Sequence, residues 1–491
     1  MPRDVHILAG DLGGSSLRVA LVSSDLTLVA MAPVSDPMGA GFESDPNHWW
    51  DAFVQGANAL ARMAPEAFRS VAAVSITGAT RTMTALDSDG TVLGPASTFR
   101  DSRAASVLAD ALARLPQEHP ETAAINAFHP LARLYRLQQT DPATAGRLAA
   151  IVDPKDFLNF RLTGELASDA VSSARLAASL EPGPDGRNLA EALELPKRLL
   201  PKLLPPTAIA GTVRSKSPGA LADLAGRPVL TMSHDSWAAV LGLGALRDGR
   251  AYNLSGTTEV FGVISHRAAA AEGLLSVDWG GGLFQLGGPS LAGADTLSWA
   301  LDLVGRGGEP VAQALDAVLS LPRGPRGLIV LPHLLGERVP FWNPDLRGAA
   351  LGLSRSHGPG DLVRATLEGV AFLNRMVLAR AETALGICAD EIRFGGGGAA
   401  SAAWAQIKAD ATGRPVCVTA SPEPGLAGCA LAALVALRLS PDLAQAQERH
   451  VAIAHRFEPS EEGMAATEPL YRLFEQAEAV VAPLSEALAH L

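Results

Sequence analysis

Two short segments rich in glycine and hydroxyl residues lie almost half a chain apart and share one pattern of residue types. They are Asp11-Leu12-Gly13-Gly14-Ser15-Ser16-Leu17-Arg18 and Asn253-Leu254-Ser255-Gly256-Thr257-Thr258-Glu259-Val260. Each lies between two apolar runs, which predicts a strand, a tight glycine turn and a second strand. Glycine lets the backbone approach an anion closely, and hydroxyl and N–H groups donate hydrogen bonds to it. Two such hairpins, one in each half, could hold a polyphosphate between two related lobes.

An ordinary hairpin turn that happens to contain Gly, Ser and Thr would explain either segment alone, because short glycine motifs are weak signals. Two further features favour an anion site. The carboxylate of Asp11 precedes the first copy, and a third glycine cluster, Gly395-Gly396-Gly397-Gly398, lies downstream.

The surrounding elements must position these segments. Residues 71–76 and 228–232 read as strands, and the second leads through Ser233-His234-Asp235 into a helix that continues to Val240. Residues 84–93 read as a hairpin with Asp89-Gly90 as its turn. Each half repeats hairpin strands followed by strand–helix units, which is typical of a duplicated α/β fold with a cleft between its halves. We expect an N-terminal lobe over 1–245 and a C-terminal lobe over 246–491.

Composition restricts the function classes. A chain of 491 residues is too long for one core, and its net charge of −11 argues against a general nucleic-acid binder. The three cysteines, Cys388, Cys417 and Cys429, match no zinc spacing and fit reduced thiols of a cytoplasmic protein. No run approaches the roughly 20 apolar residues of a membrane span. We therefore expect a cytoplasmic protein with small-molecule ligands.

Four longer stretches carry a family resemblance. They are Leu331-Pro332-His333-Leu334-Leu335-Gly336-Glu337-Arg338-Val339-Pro340-Phe341-Trp342-Asn343-Pro344, residues 348–368, residues 396–404 and residues 153–164. On these the chain resembles the FGGY carbohydrate kinases, and the first stretch is similar to a segment of the xylulokinase and gluconate kinase branches. Ala350 departs from the second, where a larger apolar residue is usual. The resemblance implies a duplicated ribonuclease-H-like fold of the actin, Hsp70 and sugar kinase superfamily, with two lobes around a central cleft.

The resemblance also implies ATP and Mg²⁺ as cofactors. Asp235 would be the catalytic base, and Asp11 and Asp235 would hold the metal. Asp235 as a mere helix cap and Asp11 as a turn-capping residue are the alternatives. The residues implied in nucleotide binding are Gly13, Gly14, Ser15, Ser16, Arg18, Ser255, Gly256, Thr257, Thr258, Gly396, Gly397, Gly398 and Ser401. Their backbone N–H groups and small size would let the nucleotide approach the chain closely.

The acceptor site is expected at Thr80, Arg81, Asp101, Asp235 and Ser236. The segment around Thr80 and Arg81 departs from the Met-His pair of xylulokinases, and Ser236 replaces their usual asparagine. A ketopentose such as xylulose is the leading acceptor, with a sugar acid such as gluconate or an erythritol-like polyol as alternatives. A different class of function also stays open, a non-catalytic nucleotide switch of the actin or Hsp70 kind. Family members are often dimers, which suggests a homodimer.

Overall fold

The computed structural model describes residues 5–14, 16–35, 37–196, 199–320 and 327–491. The chain forms two compact units. The first comprises Met1–Gly242 and Gly425–His450, and the second comprises Leu243–Pro424 and Val451–Leu491. The return of Gly425–His450 to the first unit has no counterpart in the sequence-based division.

The chain up to Gly242 alternates strands and helices. Its strands are β1 (His6–Leu12), β2 (Ser16–Ser23), β3 (Leu28–Ser35), β4 (Glu43–Ser44), β5 (Val71–Gly78), β6 (Thr84–Leu86), β7 (Ala96–Ser97), β8 (Ala150–Val152), β9 (Ala167–Asp169), β10 (Lys202–Leu204), β11 (Ile209–Thr212) and β12 (Pro228–Leu230). Its α-helices are α1 (Pro46–Met63), α2 (Pro65–Arg69), α3 (Ala105–Arg114), α4 (Pro130–Thr140), α5 (Pro142–Arg147), α6 (Pro154–Thr163), α7 (Ala174–Leu180), α8 (Leu189–Ala192) and α9 (Asp235–Gly242).

The remainder of the chain repeats this alternation. Its strands are β13 (Arg250–Ser255), β14 (Glu259–Ser265), β15 (Leu275–Asp278), β16 (Phe284–Ser290), β17 (Ile329–Leu331), β18 (Ala349–Leu351), β19 (Ile392–Gly395), β20 (Val416–Thr419) and β21 (Ile453–Phe457). Its α-helices are α10 (Ala294–Leu303), α11 (Val311–Leu319), α12 (Pro359–Leu385), α13 (Ala402–Thr412), α14 (Pro424–Ala436), α15 (Leu443–His450) and α16 (Glu461–Ala489).

The main sheets of the two units share one topology. The first has the order β11-β12-β5-β1-β2-β3, and the second has the order β15-β16-β14-β13-β19-β20-β21. In each, an antiparallel glycine hairpin lies at the centre, with an antiparallel strand beside its second arm and parallel strands beside its first arm. This is the duplicated ribonuclease-H-like α/β arrangement that the sequence predicted.

Buried aromatic side chains fix helices on these sheets. In the first unit, Trp49 of α1 packs edge-on against Phe157 of α6, with ring centroids 6.3 Å apart. In the second, Phe394 of β19 packs edge-on against Trp404 of α13, with centroids 5.8 Å apart. Burying a side chain of this size contributes about 1.5–3 kcal/mol to stability.

The predicted hairpin at 84–93 forms only in part. A single bridge joins Leu86 to Val92, whereas β6 takes its ladder partner from β8, more than 60 residues away. Among the described residues, no helix combines the length and apolarity needed to cross a membrane.

Candidate active site

Asp11 lies near the carboxyl end of β1, at the centre of the first sheet. It is buried, with 9% of its side chain exposed, and its Oδ2 lies 3.1 Å from Nη2 of Arg18, the residue paired with it on β2. On its other side, Asp11 is in register with Thr77 of the parallel strand β5. The carboxylate is thus held by the sheet rather than by a mobile loop.

The first glycine turn follows directly. The N–H of Gly13 donates to the carbonyl of Ser16 at 2.9 Å, which closes the hairpin. A Cβ added to Gly14 would lie 2.8 Å from the ring of Phe99, and Arg100 donates to the Gly14 carbonyl at 3.1 Å. The predicted phosphate ligand Ser15 lies outside the described residues.

Asp235 opens α9, after the third parallel strand of the same sheet. Thr77 Oγ1 donates to the carbonyl of Ser233 at 2.7 Å and so fixes the loop between β12 and α9. The N–H of Ser236 donates to Asp235 Oδ1 at 2.6 Å. The carboxyl ends of neighbouring parallel strands meet at one edge of a sheet, where ligands of open α/β folds bind. Asp11 and Asp235 therefore belong to the same edge.

The surroundings of Asp235 suit proton transfer. Burial and the negative charge of Asp11 raise the pKa of the Asp235 carboxyl to about 6, against the opposing hydrogen bonds from Ser236 and the charge of Arg18. About 35% of the side chain stays exposed, so the carboxylate is accessible. A carboxyl with a pKa near neutrality and an open face can accept a proton from a hydroxyl group.

His234 has a different character from its neighbour. Burial lowers the pKa of its imidazole to about 4, so the ring is neutral at physiological pH. Its Nδ1 accepts a hydrogen bond from the N–H of Trp237 at 3.3 Å. The imidazole thus supports the first turn of α9 and brings no positive charge next to Asp235.

Of the predicted acceptor residues, Asp235 and Ser236 begin α9, whereas Thr80, Arg81 and Asp101 lie on two loops. Thr80 is half-buried, and Arg81 is exposed and has φ +57°, a left-handed conformation that is uncommon for residues other than glycine. Asp101 is buried. Burial alone would raise the pKa of its carboxyl, but hydrogen bonds from Arg103 and Ser97 lower it to about 2. Its oxygens are therefore already occupied within the chain.

The start of α14 also reaches this edge, which the sequence analysis missed. A Cβ on Gly425 would lie 2.7 Å from Asp11 Oδ2, so only glycine lets the helix approach the carboxylate this closely. The amino end of a helix carries a partial positive charge that favours an anion. Pro424-Gly425 before an apolar run signals a helix start, but no local pattern reveals its contact with Asp11.

The second glycine turn, in the second unit, presents its backbone outward. Gly256 and Thr257 are exposed, and the N–H of Gly256 donates to the carbonyl of Thr258 at 2.9 Å. The carbonyls of Gly256 and Thr257 accept hydrogen bonds from the N–H groups of Ala294 and Asp295, the first two residues of α10, and these bonds fix the turn. Ser255 Oγ is buried and has no hydrogen-bond partner among the described residues. Within the described residues, the Ser255 hydroxyl is therefore a buried donor at this turn that could serve a ligand.

The third glycine cluster lies beside this turn, because Gly395 is in register with Leu254 on the parallel strand β13. A Cβ on Gly396 would collide with the Ser255 carbonyl, and one on Gly398 would lie 2.7 Å from Ser255 Oγ. Gly397 is exposed and a Cβ there would meet open space. A short 3₁₀ turn, Gly397–Ala400, separates the cluster from α13.

Ser401 serves the helix that it precedes. Its hydroxyl accepts from the N–H of Trp404 at 3.3 Å and donates to Asp316 at 3.1 Å. The side chain is buried and caps α13, so any contribution to nucleotide binding is through the position of the helix.

A buried ionic network lies behind the second turn. Lys408 Nζ contacts both carboxylate oxygens of Glu259, at 2.9 and 3.1 Å, and the Oδ1 of Asn374 at 2.6 Å. Glu259 follows Thr258 directly and also accepts from Asn253 and Asn374. The network anchors both arms of the hairpin to α12 and α13. Sequence reasoning missed it because its members come from distant elements.

The long motif around Glu337 is fixed by hydrogen bonds within the second unit. Glu337 is buried and accepts from the N–H groups of Leu291 and Arg338, both at 2.7 Å, and from Ser290 Oγ at 3.0 Å. His333 Nε2 lies 2.7 Å from Glu478 of α16. The motif therefore ties α16 to the loop after β16.

The described residues contain no group of three or more His, Cys, Asp or Glu side chains suited to a metal. Mg²⁺ is commonly held by one or two carboxylates, with phosphate and water completing its shell. Asp11 and Asp235 fit that requirement, and Asp11 influences the pKa of Asp235. The orphaned Ser255 hydroxyl and the open face of Gly397 fit a nucleotide in the second unit.

Comparisons with known proteins find matches for both halves of the chain. Residues 6–242 match the N-terminal domain of the FGGY family of carbohydrate kinases, and residues 251–437 match its C-terminal domain. The chain is 30% identical over 424 residues to a xylulose kinase of Escherichia coli, covering 82% of this chain and 84% of that protein. It is also 30% identical over 448 residues to a glycerol kinase of Cereibacter sphaeroides, covering 84% and 86%.

A solved structure extends the similarity to the fold. The xylulose kinase from Rhodospirillum rubrum is 26% identical in sequence and superimposes with a TM-score of 0.82. The superposition covers 98% of this chain and 99% of that one. The similarity of fold therefore extends over nearly the whole chain.

Proposed function

Because this chain belongs to the FGGY family of carbohydrate kinases and is an ATP-dependent sugar kinase, we propose that its acceptor is a ketopentose such as xylulose or a related small sugar. Relatives named xylulose kinase at about 30% identity support this choice. A relative of equal identity is named glycerol kinase, so sequence identity alone does not select the acceptor, and the residues of the acceptor site must do so.

We assign the base to Asp235. The observation that carries this assignment is a partly exposed carboxyl whose pKa is raised to about 6 beside Asp11. Asp235 accepts the proton of the attacking hydroxyl, while the N–H of Ser236 fixes the orientation of its carboxylate. Phosphoryl transfer needs positioning and charge stabilisation more than covalent chemistry, so one oriented base is sufficient.

Cofactor binding is assigned to each unit separately. In the first, Asp11 and Asp235 would hold Mg²⁺, which neutralises phosphate charge when it is bound, and Arg18 keeps Asp11 in place. In the first glycine turn, the N–H of Gly13 closes the hairpin, so the N–H of Gly14 would donate to phosphate. In the second, Ser255, Gly256, Thr257 and Thr258 would donate to phosphate, and Gly397 would leave room for the nucleoside.

A sugar acid is the second candidate acceptor, and one observation favours it. Burial is the main cause of the lowered pKa of His234, and the positive charge of Arg81 adds to it, so Arg81 is electrostatically coupled to the residue next to the proposed base. Arginine binds carboxylates through two parallel hydrogen bonds. An acceptor with a carboxylate would therefore find a matching group at Arg81.

ADP release, measured in a coupled assay over ketopentoses, gluconate and erythritol, tests the proposal. We expect a ketopentose to give the highest kcat/KM, and Asp235→Asn to lower kcat by about 10²–10⁴-fold with nucleotide affinity retained. Asp223→Asn, an exposed carboxylate of the same unit, is the matched control. More than a tenth of wild-type turnover in Asp235→Asn would remove the base assignment, and preference for gluconate would select the second candidate.

A further inference from the structure

One buried arginine links the two loops that carry the acceptor residues. Arg133 lies on α4 and only 5% of it is exposed. Its Nη1 donates to the carbonyl of Arg81 at 2.6 Å, and its Nη2 donates to the carbonyl of Asp101 at 2.8 Å. A single guanidinium thus spans the two loops.

The Arg133 guanidinium is buried, yet it contacts backbone carbonyls rather than a carboxylate. In the described part of the chain, no carboxylate oxygen lies within ion-pair distance of it, and its Nε is buried without a hydrogen-bond partner. Burial lowers the pKa of the guanidinium to about 10. Burying a charged group without a directly paired carboxylate is costly, and the negative charge of Asp101 offsets only part of the effect of burial, so stability alone is a poor reason for an arginine here.

Other hydrogen bonds also join the two loops, but they do not involve the carbonyls of Arg81 and Asp101. Met83 and Ser97 exchange backbone hydrogen bonds at 2.8 and 3.0 Å, and Thr82 Oγ1 accepts from the N–H of Phe99 at 3.1 Å. These contacts join the bases of the loops. Arg133 extends the connection to Arg81, whose φ of +57° is a conformation that needs support from its surroundings.

We propose that Arg133 is a positioning residue for acceptor selection: its guanidinium fork sets the separation of the Arg81 and Asp101 loops, and thereby the direction in which Arg81 meets the acceptor. The inference rests on the proposed function, because it takes these loops as the acceptor-binding ones. A planar fork fixes two acceptor oxygens at once, which the single ammonium of lysine does not.

The test uses Arg133→Lys and Arg133→Gln, with Arg136→Lys, one turn further along α4, as the matched control. With the best sugar acceptor of the panel, we expect Arg133→Lys to raise the acceptor KM at least tenfold and the ATP KM less than twofold. The kcat/KM ratio between the best and second-best acceptors should fall. Arg136→Lys should leave all three at wild-type values. If Arg133→Gln does not fold, Arg133→Lys alone decides the outcome.

Hydrogen–deuterium exchange of the unliganded proteins provides a readout that is independent of the acceptor. We expect faster exchange at 79–83 and 98–103 in Arg133→Lys, with the main sheet unchanged. A wild-type exchange pattern, or an unchanged acceptor KM and selectivity, would overturn the inference, as would equal losses for ATP and acceptor. Absence of any acceptor-dependent ADP release by the wild type would instead overturn the proposed function, and the exchange data would then decide the role of Arg133.

Discussion

At the scale of single residues, the pair of carboxylates in the first unit predicts a pH dependence. The pKa of Asp235 is raised to about 6, so the deprotonated form that can act as a base is lost as the pH falls through this value. We expect kcat/KM for an uncharged sugar acceptor to decrease about tenfold per pH unit below about 6. Stopped assays from pH 4.5 to 8 measure this. An acid limb centred near pH 4 would contradict the assignment.

The raised pKa of Asp235 also predicts how its replacement affects stability, and this effect distinguishes a functional residue from a structural one. A carboxyl whose pKa is raised in the folded state disfavours folding once it is ionised, above its ordinary value of 3.8. Asp235→Asn should therefore unfold at no lower temperature than the wild type at pH 8, although we expect its kcat to be strongly reduced. This combination is expected for a group retained for chemistry.

At the scale of elements, the third glycine cluster provides a matched pair of substitutions. A Cβ on Gly398 would lie 2.7 Å from Ser255 Oγ and collide with Trp404, whereas a Cβ on Gly397 meets nothing within 4 Å. We expect Gly397→Ala to keep the wild-type melting temperature and raise the ATP KM about tenfold, equivalent to about 1.4 kcal/mol. Gly398→Ala should lower the melting temperature. Steady-state kinetics and calorimetry measure both.

The two outcomes for Gly397→Ala have different meanings. An unchanged ATP KM in a folded Gly397→Ala protein would place the nucleoside elsewhere. A lowered melting temperature would mean that Gly397 has a packing role. The acceptor KM serves as the internal control, because Gly397 belongs to the unit that does not carry Arg81.

The elements that the sequence predicted well are those whose signals are local. Glycine turns between apolar runs, such as the β1–β2 and β13–β14 hairpins, are specified by a few neighbouring residues. The region 84–93 shows where local signals fail. Its turn forms, but β6 pairs with β8 instead of with the second arm of the hairpin, because pairing with a distant strand overrides a local signal.

The parts of the candidate site that escaped prediction are long-range contacts. Gly425 against Asp11, Arg133 against two loop carbonyls, and Lys408 against Glu259 each join residues separated by 32 or more positions. Burial is also invisible in the sequence. Asp101 and Ser401 have the right residue types for ligand contacts, yet their polar atoms are engaged within the chain.

At the scale of the whole molecule, the second unit contains a buried charge that links stability to pH. His333 is 1% exposed, and burial alone would lower its pKa. The hydrogen bond between its Nε2 and Glu478, together with the negative charges of Glu478 and of Glu337, whose Oε2 lies 3.7 Å from Nδ1, outweighs burial and raises the pKa to about 9. Its Nε2 lies 2.7 Å from Glu478, so the interaction joins the chain after β17 to α16. The ionised histidine thus connects the unit's terminal helix to its interior.

The sign of the effect follows from linkage. A histidine whose pKa is raised on folding stabilises the protein fully below its ordinary pKa of 6.5, and this stabilisation is lost as the pH rises through about 9. Raising a pKa from 6.5 to about 9 corresponds to about 3 kcal/mol of unfolding free energy. We expect His333→Gln to lower the calorimetric melting temperature clearly at pH 6 and much less at pH 9.5. His455→Gln, on the exposed edge strand β21, is the control and should show a small effect at both values. A His333→Gln deficit that is equally large at pH 9.5 would mean that the side chain acts through packing alone, since the neutral imidazole and the imidazolium fill the same volume.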